Sequence, residues 1–391
     1  MKTSFIADLD PKSKYVLIRC LILFSGNGMI TMILGSLLPM IRNEHALSDT
    51  VSGFLLSSHQ IGQMSAVFLA GILPFYLGRK RVLLSGVVFA ITGLIIMTVT
   101  GSPPLLIFAF AFTGLARGTI SNFCNFIVNE LSDGKAGALN LLHGIFAIGA
   151  LVSPLFVILG VQVAGDKGWR IAAWIIAAFL TMNVFLFLRT KIADFTREQR
   201  QKLTFQFLKK KSVWYHIGAL FFYAGAEATI IGWSVAFFVD IGIMPSVYAQ
   251  ILATVLWMAI LAGRFYIVLK GGSLANTTIL LMATSAMAVF YAAMLLSRNA
   301  VLTTLMVAAL GFSMAGIFPT LVASSGKTMR EYPASFGSMM LIGLCGAITM
   351  PSLVGIMSDY FGLFIGMSSV IVAVLFLLLF VLLIRQRTAE E

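Results

Sequence analysis

The side chains able to do chemistry in this 391-residue chain are few, and they fall inside long apolar runs. Ser58, His59, Gln60 and Gln63 form a dense polar patch. His59 and Gln63 are four residues apart and share a face if the run is helical. Arg117, Ser121 and Asn125 repeat at the same spacing, with Asn122 and Asn129 beside them, as a polar stripe. Asn27 stands alone in its run, and Asn140 and His143 are three apart. In the second half, Glu227 is the one carboxylate placed deep in an apolar run. It follows Tyr223, and Trp257, Arg264, Ser313, Thr320 and Ser324 lie further on. Asn and Gln both donate and accept, so they suit a ligand rich in hydroxyls. A guanidinium fork matches a carboxylate or phosphate. A carboxylate in apolar surroundings can exchange a proton near neutral pH, and a histidine titrates in that range. Tyr223 and Trp257 offer flat faces to a sugar ring. Each residue also has a structural alternative. Arg117 would bind backbone carbonyls, Glu227 would anchor a hydrogen bond, a neutral His59 would bond Gln63, and Tyr223 and Trp257 would simply pack.

The elements that position these residues follow from composition. With 59% apolar and 11% charged residues, the chain departs from soluble domains, which are about 25% charged. A soluble enzyme, a disordered chain and a nucleic-acid-binding domain are excluded. A membrane helix needs about 20 apolar residues. Twelve such segments lie at 15–41, 50–78, 81–101, 104–130, 136–163, 169–189, 213–240, 246–270, 274–296, 300–325, 333–357 and 362–385. The fold class expected is an all-α membrane protein of twelve transmembrane helices. Its domains are an N-terminal six-helix half (1–189), a cytoplasmic basic linker (190–211) and a C-terminal six-helix half (212–391). The linker carries Leu203, Phe205, Phe207 and Leu208 among bases. It reads either as an amphipathic helix on the inner leaflet or as a solvated tether. The first apolar run is long enough to span, so it is read as a retained helix rather than a signal peptide.

Charge sets orientation. With the N-terminus inside, the inner segments hold Lys2, Lys12, Lys14, Arg79, Lys80, Arg81, Lys135, the bases of the linker, Lys270, Lys327, Arg330, Arg385 and Arg387. The outer loops hold Arg42, Lys167, Arg170 and Arg298. That bias places both termini in the cytoplasm and explains the net charge of +12 without nucleic acid. Arg42, His45 and Asp49 read as solvated outer-loop residues. Cys20, Cys124 and Cys345 lack metal-ligand spacing and read as small hydrophobes.

The two halves repeat. Gly149-Ala150-Leu151-Val152-Ser153-Pro154 and Gly346-Ala347-Ile348-Thr349-Met350-Pro351 share Gly-Ala-aliphatic-x-x-Pro, at an offset of 346 − 149 = 197. The same offset maps Gly28 onto Gly225 and Gly114 onto Gly311. Small residues of this kind let helices approach closely in lipid.

Several segments resemble the fucose permease-like (fucose–galactose–proton symporter) branch of the major facilitator superfamily. They are Tyr223 through Glu227 with Gly232-Trp233, Leu139 through His143 with Phe146, Gly149 and Pro154, Gly311 through Pro319, Gly263-Arg264, and Gly346, Pro351, Gly355 and Asp359. The resemblance implies two pseudo-symmetric six-helix halves with substrate bound near the bilayer midplane. It implies a secondary active transporter of a small polar solute, a sugar or sugar derivative, working by alternating access. The alternative is an organic-anion or acidic-sugar transporter using Arg117. A multidrug or metabolite exporter ranks below both, since it would need a large aromatic cavity. Substrate binding falls to Asn27, His59, Gln60, Gln63, Arg117, Asn122, Asn125, His143, Tyr223, Glu227 and Trp257. The chain departs from the family in three places. Phe75 and Tyr76 replace the usual Asp and its basic neighbour in the loop after the second helix, which argues against an ionic latch there. Ser121 and Gly35 stand where the branch carries acids. Coupling to H+ or Na+ then falls to Glu227 or His59. No nucleophile–base set, metal cluster or phosphate loop points to an enzyme, and no cofactor or metal is expected. The expected partners are the solute and membrane lipids, with no nucleic acid and a monomeric chain. The expected location is the bacterial inner (plasma) membrane, as a multi-pass cell-membrane protein.

Overall fold

A computed structural model describes residues 9–70, 73–132, 136–190, 192, 206–270, 275–325 and 334–390. The described chain is helical: α1 (Pro11–Glu44), α2 (Asp49–Ala70), a short α3 (Leu73–Leu77), α4 (Arg79–Val99), α5 (Pro103–Leu131), α6 (Ala136–Ala164), α7 (Trp169–Leu188), α8 (Lys211–Asp240), α9 (Ser246–Lys270), α10 (Asn276–Leu296), α11 (Ala300–Met314), α12 (Ile317–Ser324), α13 (Ala334–Phe361) and α14 (Leu363–Glu390). Among the described residues, ten stretches are long and apolar enough to cross a membrane by themselves. One of them, Leu141–Leu188, runs through most of α6 and all of α7, joined by a tight 3-10 turn at Gly165–Gly168. The polar patch around His59 keeps α2 below that threshold, although its 22 residues suffice to span. The all-α fold class agrees with the expectation, and the count of twelve rests on these two readings of α2 and of the Leu141–Leu188 stretch.

The tenth segment is not one helix. It breaks at Ala315–Gly316 between α11 and α12. Pro319 has no N–H to give to the Ala315 carbonyl, so a rung of the α-helical ladder is missing at this break. Most of the linker, including Leu203 and Phe205, lies outside the described residues. Within it, Gln206–Lys209 forms a 3-10 turn whose Phe207 is buried against α8.

Contacts divide the chain into two compact units, Met1–His45 with Ser58–Gln199, and Ala46–Ser57 with Arg200–Glu391. The first turns of α2 therefore pack with the second unit. The Asp359 carboxylate accepts from the Asp49 and Thr50 N–H groups at 2.7 and 2.9 Å. Ser358 donates to the Asp49 carboxylate, and Ser352 donates to Ser57 at 2.7 Å. Asp49, expected to be solvated, is thus bound at a helix start, where the exposed N–H groups attract a carboxylate.

Inside each unit the repeat becomes a packing rule. A Cβ added to Gly28 of α1 would lie 2.0 Å from the Phe146 carbonyl oxygen of α6, and one on Gly149 would lie 1.9 Å from the Ser25 oxygen. In the other unit, a Cβ on Gly346 of α13 would lie 1.8 Å from the Phe221 oxygen of α8, and one on Gly225 would meet Met350 and the Gly346 backbone. Gly114 abuts the His59 carbonyl, and Gly311 abuts that of Leu256. Both glycines and both partners differ by 197 residues. The same backbone crossings are therefore built twice. Cys20 and Cys124 are buried, Cys345 is half-buried, and all three are free thiols.

Candidate functional site

The first unit gathers the polar stripe at the crossing of α2 and α5. Gly114 and Gly118 press against the α2 backbone at His59 and Gln63, which brings the His59 ring to Thr113. The contact is His59 Nδ1 to Thr113 Oγ1 at 2.9 Å. The Thr113 hydroxyl gives its own proton to the Phe110 carbonyl at 2.7 Å. With that proton on the Phe110 carbonyl, the hydroxyl accepts from His59, and we assign the ring proton to Nδ1 on this ground. This correction to the expected Gln63 partner has a simple cause. The glycines on α5 let a side chain from that helix reach the ring, whereas Gln63 lies one turn further along α2.

Two consequences follow. Nε2 is buried with no protein partner among the described residues, and in that tautomer it is a bare lone pair. The charge of Arg117, one turn beyond Thr113, acts on the same ring. Other buried polar atoms are also left open in this unit. Among the described residues they include Asn27 Oδ1 on α1, Gln63 Oε1 on α2, Asn122 Nδ2 on α5 and Asn183 Oδ1 on α7. Buried polar atoms are nearly always paired, so each open one calls for a ligand or water. Asn125 donates to the Ser121 carbonyl at 2.7 Å and accepts from His143 Nε2 at 3.2 Å. His143 sets its ring edge-on to Phe24, with centroids 5.5 Å apart. Gln60 and Arg117 are half-buried, while His143 is exposed.

The second unit holds the acid. Tyr223 is 2% exposed, and its hydroxyl lies 2.9 Å from Glu227 Oε1 and 3.1 Å from the Met314 carbonyl. Glu227 is half-buried. Arg264 on α9 lies close enough for its charge to act on the Tyr223 hydroxyl, and its Nε is buried without a hydrogen bond among the described residues. Trp257 is buried in the unit's core.

Three features escaped the reading of residue types. Arg19 is buried within α1, stacked on the Tyr15 ring and bonded to the Tyr15 and Thr190 hydroxyls. Asn183 is fully buried on α7. The loss of the family Asp at Phe75 does not remove the ionic contact at that end. Arg79 pairs with Glu130 of α5 at 3.0 Å and lies over the Phe126 ring. Glu130 stands 51 residues away in sequence, so no local pattern announces it. Among the described residues no group of three His, Cys, Asp or Glu side chains is placed to hold a metal.

Comparison with known proteins agrees with this architecture. The profile of the Major Facilitator Superfamily matches residues 20–343. The arabinose-proton symporter of Bacillus subtilis (strain 168) is 25% identical over 165 residues, 41% of this chain and 36% of that protein, so the match spans about a third of the relative. The glucose/mannose transporter GlcP of the same organism is 21% identical over 350 residues, 82% of this chain and 84% of that one. A bacterial homologue of the human lysosomal transporter Spinster, solved in an inward-facing and occupied conformation, superposes with a TM-score of 0.76 at 14% identity, covering 96% of this chain and 97% of that one. The nucleoside transporter NupG superposes with a TM-score of 0.73 at 13% identity, covering 96% and 99%. The family profile spans most of the chain and the helices adopt the same fold. The chain belongs to the major facilitator superfamily and is a multi-pass membrane transporter of a small solute.

Proposed function

We propose that the protein is a secondary active transporter of a neutral sugar or sugar derivative, akin to the fucose permease-like branch, and that it carries its solute by alternating access. The reading is supported above all by the open Nε2 lone pair of His59. An acceptor fixed in place wants a hydroxyl or N–H donor and repels a carboxylate oxygen. The open Asn27, Gln63 and Asn122 atoms add the mixed donors and acceptors that a polyol satisfies. Gln60, Asn125 and His143 extend this set. In the second unit, Tyr223 and Trp257 are the ring-facing surfaces of this reading. The sugar-transporting relatives point the same way.

Glu227 is the coupling acid in this reading, and the driving ion is a proton. His59 is the poorer candidate. Its Nδ1 proton is already committed to Thr113, and a second proton would bring a cation beside Arg117. The protein would lie in the bacterial plasma membrane as a monomer with both termini inside, as the loop charges require. A second reading, transport of an acidic sugar or organic anion, is favoured by Arg117 alone.

A thermal-shift screen of the purified protein against arabinose, glucose, mannose, nucleosides and the matching uronic acids tests this. A bound solute at a hundred times its Kd stabilises the fold by about 2.7 kcal/mol. The expected result is a raised Tm with a neutral sugar. A rise with anions only would replace this reading by the second one.

A further inference from the structure

Tyr223 has one proton and two oxygen neighbours. Glu227 Oε1 is 2.9 Å away and the Met314 carbonyl 3.1 Å away. A carbonyl can only accept. If Glu227 is ionised, both neighbours are acceptors and compete for a single O–H. The charged acceptor wins, because hydrogen bonds to ions are roughly twice as strong as neutral ones. Met314 then faces an oxygen lone pair instead of a donor. If Glu227 is protonated, its own O–H donates to the Tyr223 oxygen, and the Tyr223 proton is free for Met314. Both short contacts are satisfied only in the protonated state. Water is a poor substitute donor, since Tyr223 is 2% exposed.

The position of Met314 gives this a consequence. It is the last residue of α11, immediately before the break at Ala315–Gly316. Its carbonyl is therefore a pin holding the edge of a hinge onto α8. We infer that Tyr223 is a positioning residue that passes the protonation state of Glu227 to the break in the tenth span, pinning it when the acid is protonated and releasing it when the acid is ionised. The inference rests on the reading of Glu227 as the proton carrier.

The groups that could share this titration are few. On the elements packed against α8, α12 carries no titratable side chain, and α13 offers Cys345, Asp359 and Tyr360. The turn below α8 offers Lys209, and α14 offers Arg385, Arg387 and Glu390 towards its end. Along α9 stand Tyr248, Arg264, Tyr266 and Lys270. Arg264 is the charge that acts on the Tyr223 hydroxyl. On α8 itself His216 lies near the inner end, bonded to the Ser212 carbonyl and the Ser324 hydroxyl.

The test needs no solute. Purified protein in lipid nanodiscs is titrated with acid and base, with two readouts. Infrared difference spectra follow the carboxyl C=O band. Amide deuterium uptake, corrected for intrinsic exchange, follows the peptide around residues 311–321. In the wild type the band should disappear as pH rises, and uptake around the break should increase along the same curve. Glu227→Gln should lose the band and keep uptake low at every pH, because its amide N–H donates to Tyr223 as the protonated acid does. Tyr223→Phe should keep a titrating band, moved to higher wavenumber by loss of its acceptor, with high uptake that no longer follows pH. A Tyr223→Phe protein whose uptake still tracks pH as in the wild type would overturn the inference alone. So would a Glu227→Gln protein with high uptake. A wild type lacking any band that Glu227→Gln removes would overturn both the inference and the proton-carrier reading.

Discussion

The tautomer of His59 gives the sharpest prediction. Thr113 is fully buried, and its hydroxyl is the acceptor that fixes the ring proton on Nδ1. Thr113→Val keeps the shape and removes that acceptor. A buried N–H left without a partner costs about 1–3 kcal/mol. The ring can avoid this by moving its proton to Nε2, which turns the open lone pair into a donor. A sugar hydroxyl that had donated to Nε2 must then rotate and give up its other partner. The expected loss is about 1.4 kcal/mol, or roughly tenfold in Kd. A carboxylate ligand should bind Thr113→Val as well as or better than wild type, because it meets a donor where a lone pair stood. Thr113→Ser restores the acceptor and should restore sugar affinity. The assay is titration calorimetry with the sugar found by thermal shift, with nitrogen-15 imidazole spectra to read the tautomer. Equal sugar affinity in the Val and Ser variants would refute the reasoning. So would a wild-type spectrum with the proton on Nε2.

Other outcomes follow from the same geometry. Glu227→Gln should retain solute counterflow in proteoliposomes and lose accumulation driven by a pH gradient; retained accumulation would rule out Glu227 as the coupling acid. Arg117→Gln should abolish binding of any anionic solute and weaken a neutral sugar by at most about tenfold, the scale of one hydrogen bond, as read by the same calorimetry. Gly149→Ala and Gly346→Ala each place a methyl within 2 Å of a carbonyl oxygen in the facing helix (1.9 and 1.8 Å). Each should destabilise the protein by about 3 kcal/mol through overpacking, seen as a lowered Tm and a smaller monodisperse fraction. Gly144, with open space beside its Cα, should accept Ala without loss.

The sequence read well wherever the signal was local. Segment boundaries come from runs of apolar residues along one chain, and α5, α6 and α9 start and stop within a residue or two of where those runs do. What it could not show are pairings across helices. The Thr113 acceptor, the Glu130 partner of Arg79 and the Met314 carbonyl beneath Tyr223 lie 54, 51 and 91 residues from the groups they bind. The break in the tenth span sat in plain view at Gly316 and Pro319, yet it gained meaning only when Tyr223 was found against its edge. Asp49 looked like loop because its partner, Asp359, is 310 residues away.

The internal repeat explains why scaffold and chemistry were unequally legible. The offset of 197 carries three crossing glycines, Gly28, Gly114 and Gly149, onto the crossing glycines Gly225, Gly311 and Gly346, where a Cβ would press on the facing helix. It does not carry the polar residues onto polar residues. His59 maps to Leu256, Gln60 to Trp257, Gln63 to Ile260 and Asn27 to Ala224, while Glu227 maps back to Ile30 and Arg264 to Val67. Arg117 maps to Met314, whose backbone carbonyl rather than its side chain is the functional atom. Steric necessity keeps these three pairs of packing positions alike in both halves. The polar positions carry no such constraint and differ between the halves, which under the proposed reading gives one half hydroxyl recognition and the other the coupling acid. That asymmetry separates the two roles physically, so a variant at Thr113 should alter affinity without moving the pH profile. A variant at Tyr223 should do the reverse.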